Sequence, residues 1–224
     1  MSIRSGGILS ALLWVLCAAP LLSGCGRSAS THYYTLTPGQ AAPYGGGAAP
    51  SMTPSGAPGA APAAASGTGA QGPCYSLGLG PVDFPAYLDR TQIVTQGAGN
   101  QMQLAEFDQW VEPLQENFKR ILMENLAASL CTKPLVLFPW PAGVRPRYQL
   151  AIQVQRFDGA LGQEAVLRAN WSILNPDGDV LLWRSATLRE PVAGPGYAPL
   201  AAAQSALVAR FGQELAVAVK TLKP

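Results

Sequence analysis

Ala165-Val166-Leu167-Arg168-Ala169-Asn170-Trp171-Ser172-Ile173-Leu174 runs into Asn175-Pro176-Asp177-Gly178, and Val180 opens a second apolar stretch that lasts to Leu188. Asn, Pro, Asp and Gly are turn-forming residues, so the two stretches read as antiparallel strands joined at 175–178. Downstream, Leu200, Ala203, Leu207, Phe211, Leu215, Ala218 and Leu222 recur at three- and four-residue steps, the stripe of an amphipathic helix. Upstream, 147–157 reads as a third long strand and 135–138 as a short apolar one. Trp110, Leu114, Phe118, Ile121, Leu122 and Leu126 predict an earlier helix over about 111–130, with Pro113 in its first turn. Segments 92–96 and 101–107 flank Gly97-Ala98-Gly99-Asn100 and predict a hairpin. Residues 75–82 alternate apolar and small, as a half-buried strand does. The expected class is α+β: a mixed, largely antiparallel sheet with two amphipathic helices on one face.

Only 12% of the 224 residues are charged, while there are 24 glycines and 20 prolines. That average conceals unlike segments. Residues 38–73 contain no Lys, Arg, Asp or Glu and consist mainly of Ala, Gly, Pro, Ser and Thr. Such a stretch cannot bury enough apolar surface to offset its ordering entropy, and it reads as a linker or loop. Residues 74–224 hold 26 of the 28 charged side chains and are long enough for one core. A net charge of +2 gives no broad footprint for nucleic acid.

The first 24 residues read as a lipoprotein signal. Arg4 supplies a positive start, and 8–22 is almost wholly apolar but short for a membrane span. Leu22-Ser23-Gly24-Cys25 then matches a lipobox. Its thiol takes a diacylglycerol, and the small residues before it admit the signal peptidase. Acyl chains on Cys25, palmitate among them, would anchor the mature protein. Gly26 follows, not the Asp that retains many Gram-negative lipoproteins at the inner membrane, so the outer membrane, on its periplasmic face, is the expected location.

Between anchor and linker lies Tyr33-Tyr34-Thr35-Leu36. It suits either an aromatic pair at the lipid headgroups or an edge strand of the sheet at 33–36, and the strand reading is preferred. As a strand it leaves residues 26–32 as the tether, at most about 25 Å of chain.

Cys17 leaves with the signal, so Cys74 and Cys131 remain as an even pair in an oxidising compartment. One opens a strand and the other closes the helix that returns beside it. A disulfide is expected over two buried thiols.

Catalysis finds few parts. The sole histidine, His32, lies outside residues 74–224. There is no Gly-x-Ser-x-Gly, Walker loop or Gly-x-Gly-x-x-Gly, and Gly78-Leu79-Gly80 is followed by Pro81, not by a phosphate-binding Lys. No enzyme activity, cofactor or metal is expected.

Gly80-Pro81-Val82-Asp83-Phe84-Pro85-Ala86-Tyr87-Leu88-Asp89-Arg90-Thr91-Gln92-Ile93-Val94-Thr95 and Leu104-Ala105-Glu106-Phe107-Asp108-Gln109-Trp110-Val111-Glu112-Pro113-Leu114 carry a family signature. With the lipobox, the Tyr-Tyr-Thr-Leu run and the closing helix, they resemble the PqiC/YmbA-like ABC-type transport auxiliary lipoproteins over nearly the whole mature chain. The long Ala/Gly/Pro insert and the Cys74/Cys131 pair depart from that pattern. The resemblance implies an outer-membrane lipoprotein of an MCE (mammalian cell entry) lipid transport system, supporting envelope integrity. Its implied partners are a periplasmic MCE protein and the ABC permease and ATPase. Homo-oligomers are plausible, because a small lipoprotein docking a larger carrier gains from avidity. A lipoprotein that braces a complex without handling lipid, or a periplasmic lipid-binding module, stands as the alternative.

Within the signature, Pro85, Tyr87, Leu88, Asp89 and Arg90 suit a partner-docking loop or, preferably, a structural one. In the structural reading Tyr87 joins the core, Asp89 accepts local backbone bonds, and Arg90 pairs with Glu106 or Asp108. Trp140 stands between Pro139 and Pro141, which excludes it from a regular ladder and makes it a candidate membrane- or partner-facing aromatic.

Overall fold

The computed structural model describes residues 30–39 and 73–223; the signal, Cys25 and most of the low-complexity stretch lie outside the described residues. The described residues from Thr31 onward form one compact unit. In chain order the elements are β1 (His32–Tyr34), β2 (Tyr75–Asp83), a 3-10 turn at Ala86–Leu88, β3 (Gln92–Gln96), β4 (Met102–Trp110), α1 (Leu114–Ser129), β5 (Thr132–Leu137), β6 (Tyr148–Gly159), β7 (Glu164–Leu174), β8 (Val180–Pro191) and α2 (Tyr197–Val219).

The eight strands form one mixed sheet centred on β6. β7 pairs with β6 antiparallel from Gln149 to Gly159, and β8 continues antiparallel beyond it. The other edge of β6 is shared: β2 runs parallel along its start, and β3 meets it in parallel at Gly159. The β3–β4 hairpin and β1 extend the sheet from there, while β5 flanks β2. The α+β class and the long antiparallel ladders match expectation. The parallel share is larger than a hairpin reading suggests, because β2 has parallel neighbours on both sides. The chain that brings β5 back alongside β2 passes through α1, and parallel strands need such a crossover.

Both helices lie on one face because each has one apolar stripe. Phe118, Ile121, Leu122 and Leu126 of α1 and Leu200, Leu207, Phe211 and Leu215 of α2 are fully buried. They meet Leu150, Ile152, Val154 and Phe157 of β6 and Leu167, Ala169, Trp171 and Ile173 of β7 in a single core. The register matches these strand residues across the ladder, Leu150 with Ile173 and Ile152 with Trp171, so all project from the same side. At its centre Phe118 packs edge-on against Phe84 (5.1 Å between ring centroids) and Phe157 (5.4 Å). Such pairs each add about 0.5–1.5 kcal/mol beyond area burial.

Helix α1 begins three residues later than the periodicity suggests. Pro113 is its N-cap, with its carbonyl accepting bonds from the Glu116 (2.9 Å) and Asn117 (3.0 Å) amides. The predicted turn after β7 is present. Asn175 Oδ1 accepts bonds from the backbone amides of Asp177 (3.0 Å) and Asp179 (2.8 Å), and Gly178 takes the left-handed conformation at φ 91°.

Candidate functional site

The N-terminal segment is laid into the domain. β1 pairs in parallel with the end of β4, His32 opposite Asp108 and Tyr34 opposite Trp110. The chain then crosses the seam between the two helices. Asn117 Nδ2 of α1 donates to Thr35 Oγ1 (3.1 Å), and Leu36 is 1% exposed. The Thr37 amide donates to Ser205 Oγ of α2 (3.1 Å), and the Gly39 amide donates to Asn125 Oδ1 of α1 (2.9 Å). A side chain at position 39 would collide with Ala209 Cβ, so glycine is what allows the backbone this close to α2. Ordered packing thus continues through Gly39, past the start of the charge-free stretch. Three buried polar side chains of the two helices, Asn117, Asn125 and Ser205, are the sequence signal for this strap. Their buried amides and hydroxyl require partners.

Tyr34 completes the attachment. Its hydroxyl donates to Asp108 Oδ1 at 2.7 Å, and His32 Nδ1 lies 3.3 Å from the same oxygen. The bond to the carboxylate, reinforced by burial, pushes the Tyr34 phenol up to about 12. The exit end of the low-complexity segment is fixed as well. Cys74 and Cys131 form a disulfide with Cα atoms 4.4 Å apart, and the Tyr75 amide donates to the Cys131 carbonyl (2.8 Å). Gly39 and Cys74 are therefore both held to the body of the domain.

The signature loop folds inward. Leu88 is buried, and Tyr87 is half-buried with its hydroxyl donating to Asp158 Oδ2 at 2.7 Å. Asp158, 2% exposed, also accepts a bond from Arg156 Nε (2.8 Å), and Arg156 reaches on to Gln96 Oε1. Burial, then the bond to Asp158, pushes the Tyr87 phenol well above its usual range. This chain of polar groups ties the 3-10 turn to β3 and β6. Arg90 does not pair with Glu106 or Asp108. Its Nε donates to the Tyr87 carbonyl (2.8 Å), because Asp108 is already held by Tyr34 and His32 on the inner side. Pro85 supplies the carbonyl that accepts the Leu88 amide (3.0 Å), and the Asp89 amide donates to Ala86 O (3.1 Å). The Asp89 side chain points to solvent.

Trp140 is half-buried. A Cβ on Gly78 would lie 2.5 Å from Trp140 Cη2 and 2.7 Å from Pro146 Cγ, so glycine in β2 makes the seat for that ring. Gly80 does the same for Phe138, at φ 121°, and Phe138 stacks edge-on against Trp140 at 5.3 Å. The Gly-x-Gly of β2 is therefore a packing surface. Phe138 is the more exposed of the two aromatics.

Among the described residues no group of three His, Cys, Asp or Glu side chains could hold a metal ion, and no helix is long and apolar enough to cross a membrane.

Several solved structures share this fold, among them the following two. A protein of uncharacterised function is 22% identical with a TM-score of 0.57, covering 66% of this chain and 94% of its own. A Xanthomonas campestris protein of the DUF330 family is 21% identical with a TM-score of 0.56, covering 64% of this chain and 82% of its own. No curated protein matches the sequence significantly. Residues 58–216 match the family described as the ABC-type transport auxiliary lipoprotein component, and the chain belongs to that family.

Proposed function

We propose that the protein is the outer-membrane-anchored lipoprotein subunit of an MCE-type intermembrane lipid transport system. Acylated Cys25 holds it at the periplasmic face. The domain docks the periplasmic MCE component, which works with the inner-membrane ABC permease and ATPase. It performs no chemistry itself. The family membership carries this reading.

The strap gives it a mechanical basis. A subunit that holds a carrier against one membrane must transmit load from anchor to body. Here the chain enters as β1 and is clamped by Asn117, Asn125 and Ser205 between two core helices. The body carries its dockable groups on the outside. Of the signature residues, Tyr87 and Leu88 serve the interior, leaving the exposed Asp89 and Arg90, and separately Trp140 on β2's cover, to contact a partner.

The test is affinity capture of the tagged lipoprotein from gently solubilised envelopes. Recovery of an MCE protein together with an ABC permease supports the reading. Recovery of intact, acylated lipoprotein alone contradicts it.

A further inference from the structure

Ten large apolar side chains stand exposed among the described residues, and five of them, Tyr33, Met102, Leu104, Phe107 and Val111, belong to β1, β4 and the residue that follows β4. The strand register places them on one side. Tyr33 lies opposite Gln109, so Phe107 and Val111 are its diagonal neighbours, within reach of an aromatic ring. Gln92, Val94 and Gln96 of β3 share a face by alternation, and they pair with Gln109, Leu104 and Met102. An irregularity between Gln92 and Val94 shifts the parity of β4, which is why Leu104 and Gln109 share that face although five residues separate them. The same shift sends Ala105 and Trp110 to the opposite, buried side. The result is an apolar outer face interspersed with neutral glutamines. The carboxylate of Asp108 is turned inward to Tyr34, and Glu106 is the remaining charge in β4.

We infer that this outer face of β1 and β4 lies against the lipid surface to which the chain is tethered. The inference rests on acylation of Cys25. Residues 26–31 join that cysteine to β1, placing His32 at most about 25 Å from Cys25 along a fully extended chain. The exposed face therefore begins where the tether ends. A tyrosine flanked by Phe, Leu, Met and Val suits the boundary between headgroups and acyl chains, where an apolar body and a polar tip are both satisfied. The absence of a charge pattern on these strands argues against a complementary charged partner. Tyr33 and Tyr34 thus divide two tasks between adjacent positions, one facing lipid and one holding the strand to the core through Asp108.

The full lipoprotein offers a direct test. With Cys25 acylated and Cys74 and Cys131 joined, Val111→Cys introduces a single free thiol for a fluorescent label. Val217→Cys, on α2 and equally exposed, serves as the reference position. Leu104→Cys gives a second site on the proposed face. The labelled proteins are reconstituted in vesicles of phosphatidylethanolamine and phosphatidylglycerol doped with spin-labelled phosphatidylcholine. Labels at 111 and 104 should be quenched by the lipid probe several-fold more than the label at 217, and aqueous iodide should give the reverse order. Equal quenching at all three positions would overturn the proposal. So would shielding of 111 from both quenchers, which would assign the face to a protein partner or a second copy. Mass spectrometry of the N-terminal peptide separates the two layers. An unmodified Cys25 overturns anchor and orientation together, whereas an acylated Cys25 with an unquenched 111 overturns the orientation alone.

Discussion

Tyr87→Phe removes one oxygen from the signature loop and distinguishes an inward structural role from an outward docking role. The Tyr87 hydroxyl is 2.7 Å from Asp158 Oδ2, and Asp158 is 2% exposed, so its carboxylate has almost no water to fall back on. A hydrogen bond to a charged group contributes about 1.5–3 kcal/mol, and an acceptor left unsatisfied in a buried site keeps its desolvation cost. Arg156 stays in place at 2.8 Å from the other carboxylate oxygen and limits the damage. A loss of about 2 kcal/mol is expected. In urea, with a slope of about 1–3 kcal/mol per molar, the midpoint should fall by roughly 1 M while the slope stays constant. Asp158→Asn should cost a similar amount, because the amide oxygen still accepts from Tyr87 but no longer pairs with the guanidinium. The measurement is equilibrium unfolding of the mature protein followed by Trp fluorescence, alongside capture of envelope partners. An unchanged midpoint with weakened capture would refute the structural assignment and return Tyr87 to the docking surface.

Removing the cross-link with Cys74→Ala and Cys131→Ala should cost about 4 kcal/mol by the chain-entropy relation for a loop of this length, visible as a lower thermal midpoint. Gly159→Ala should destabilise by at least about 1–3 kcal/mol, because its Cβ would sit 2.7 Å from the Glu164 carbonyl and 2.8 Å from Ala165 Cα, both backbone atoms of a paired strand. Unfolding free energies are the readout, and a neutral result would contradict the close approach of β6 and β7. The Tyr34 phenol is raised in the fold, from 10.0 to about 12, so its bond to Asp108 contributes fully below pH 10 and is lost as the pH climbs through about 12. Tyr34→Phe should flatten that alkaline decline, as read from denaturation midpoints across this window.

The elements that repeat were legible in the sequence. The stripes of α1 and α2 follow the 3.6-residue period because each helix has a single core-facing side. The Asn175–Gly178 turn follows from the few residues that tolerate its geometry. The strap at Thr35–Gly39 has no period, and its partners are scattered over α1 and α2. Only the buried Asn117, Asn125 and Ser205 hint at it, and such residues do not say what they bond. The parallel pairing of β2 with β5 and β6 was likewise hidden, since alternation marks a strand without naming its neighbours. Gly78 and Gly80 illustrate a third limit. In one dimension they look like permissive spacers, yet each is set by a ring arriving from more than 50 residues away, Trp140 for one and Phe138 for the other. Arg90 missed its expected carboxylate for the same kind of reason, because Asp108 had already been claimed by a residue far upstream.

In the proposed function, this member of the auxiliary lipoprotein family tethers a lipid-transport assembly to the outer membrane through Cys25. The most direct measurement is quantitative mass spectrometry of material captured on the tagged protein from separated, cross-linked envelope fractions. The expected result is an N-terminally acylated Cys25 peptide in the outer-membrane fraction, co-recovered with an MCE protein and its ABC permease. Acylated protein confined to the inner membrane, or recovered from the outer membrane without either component, would contradict it.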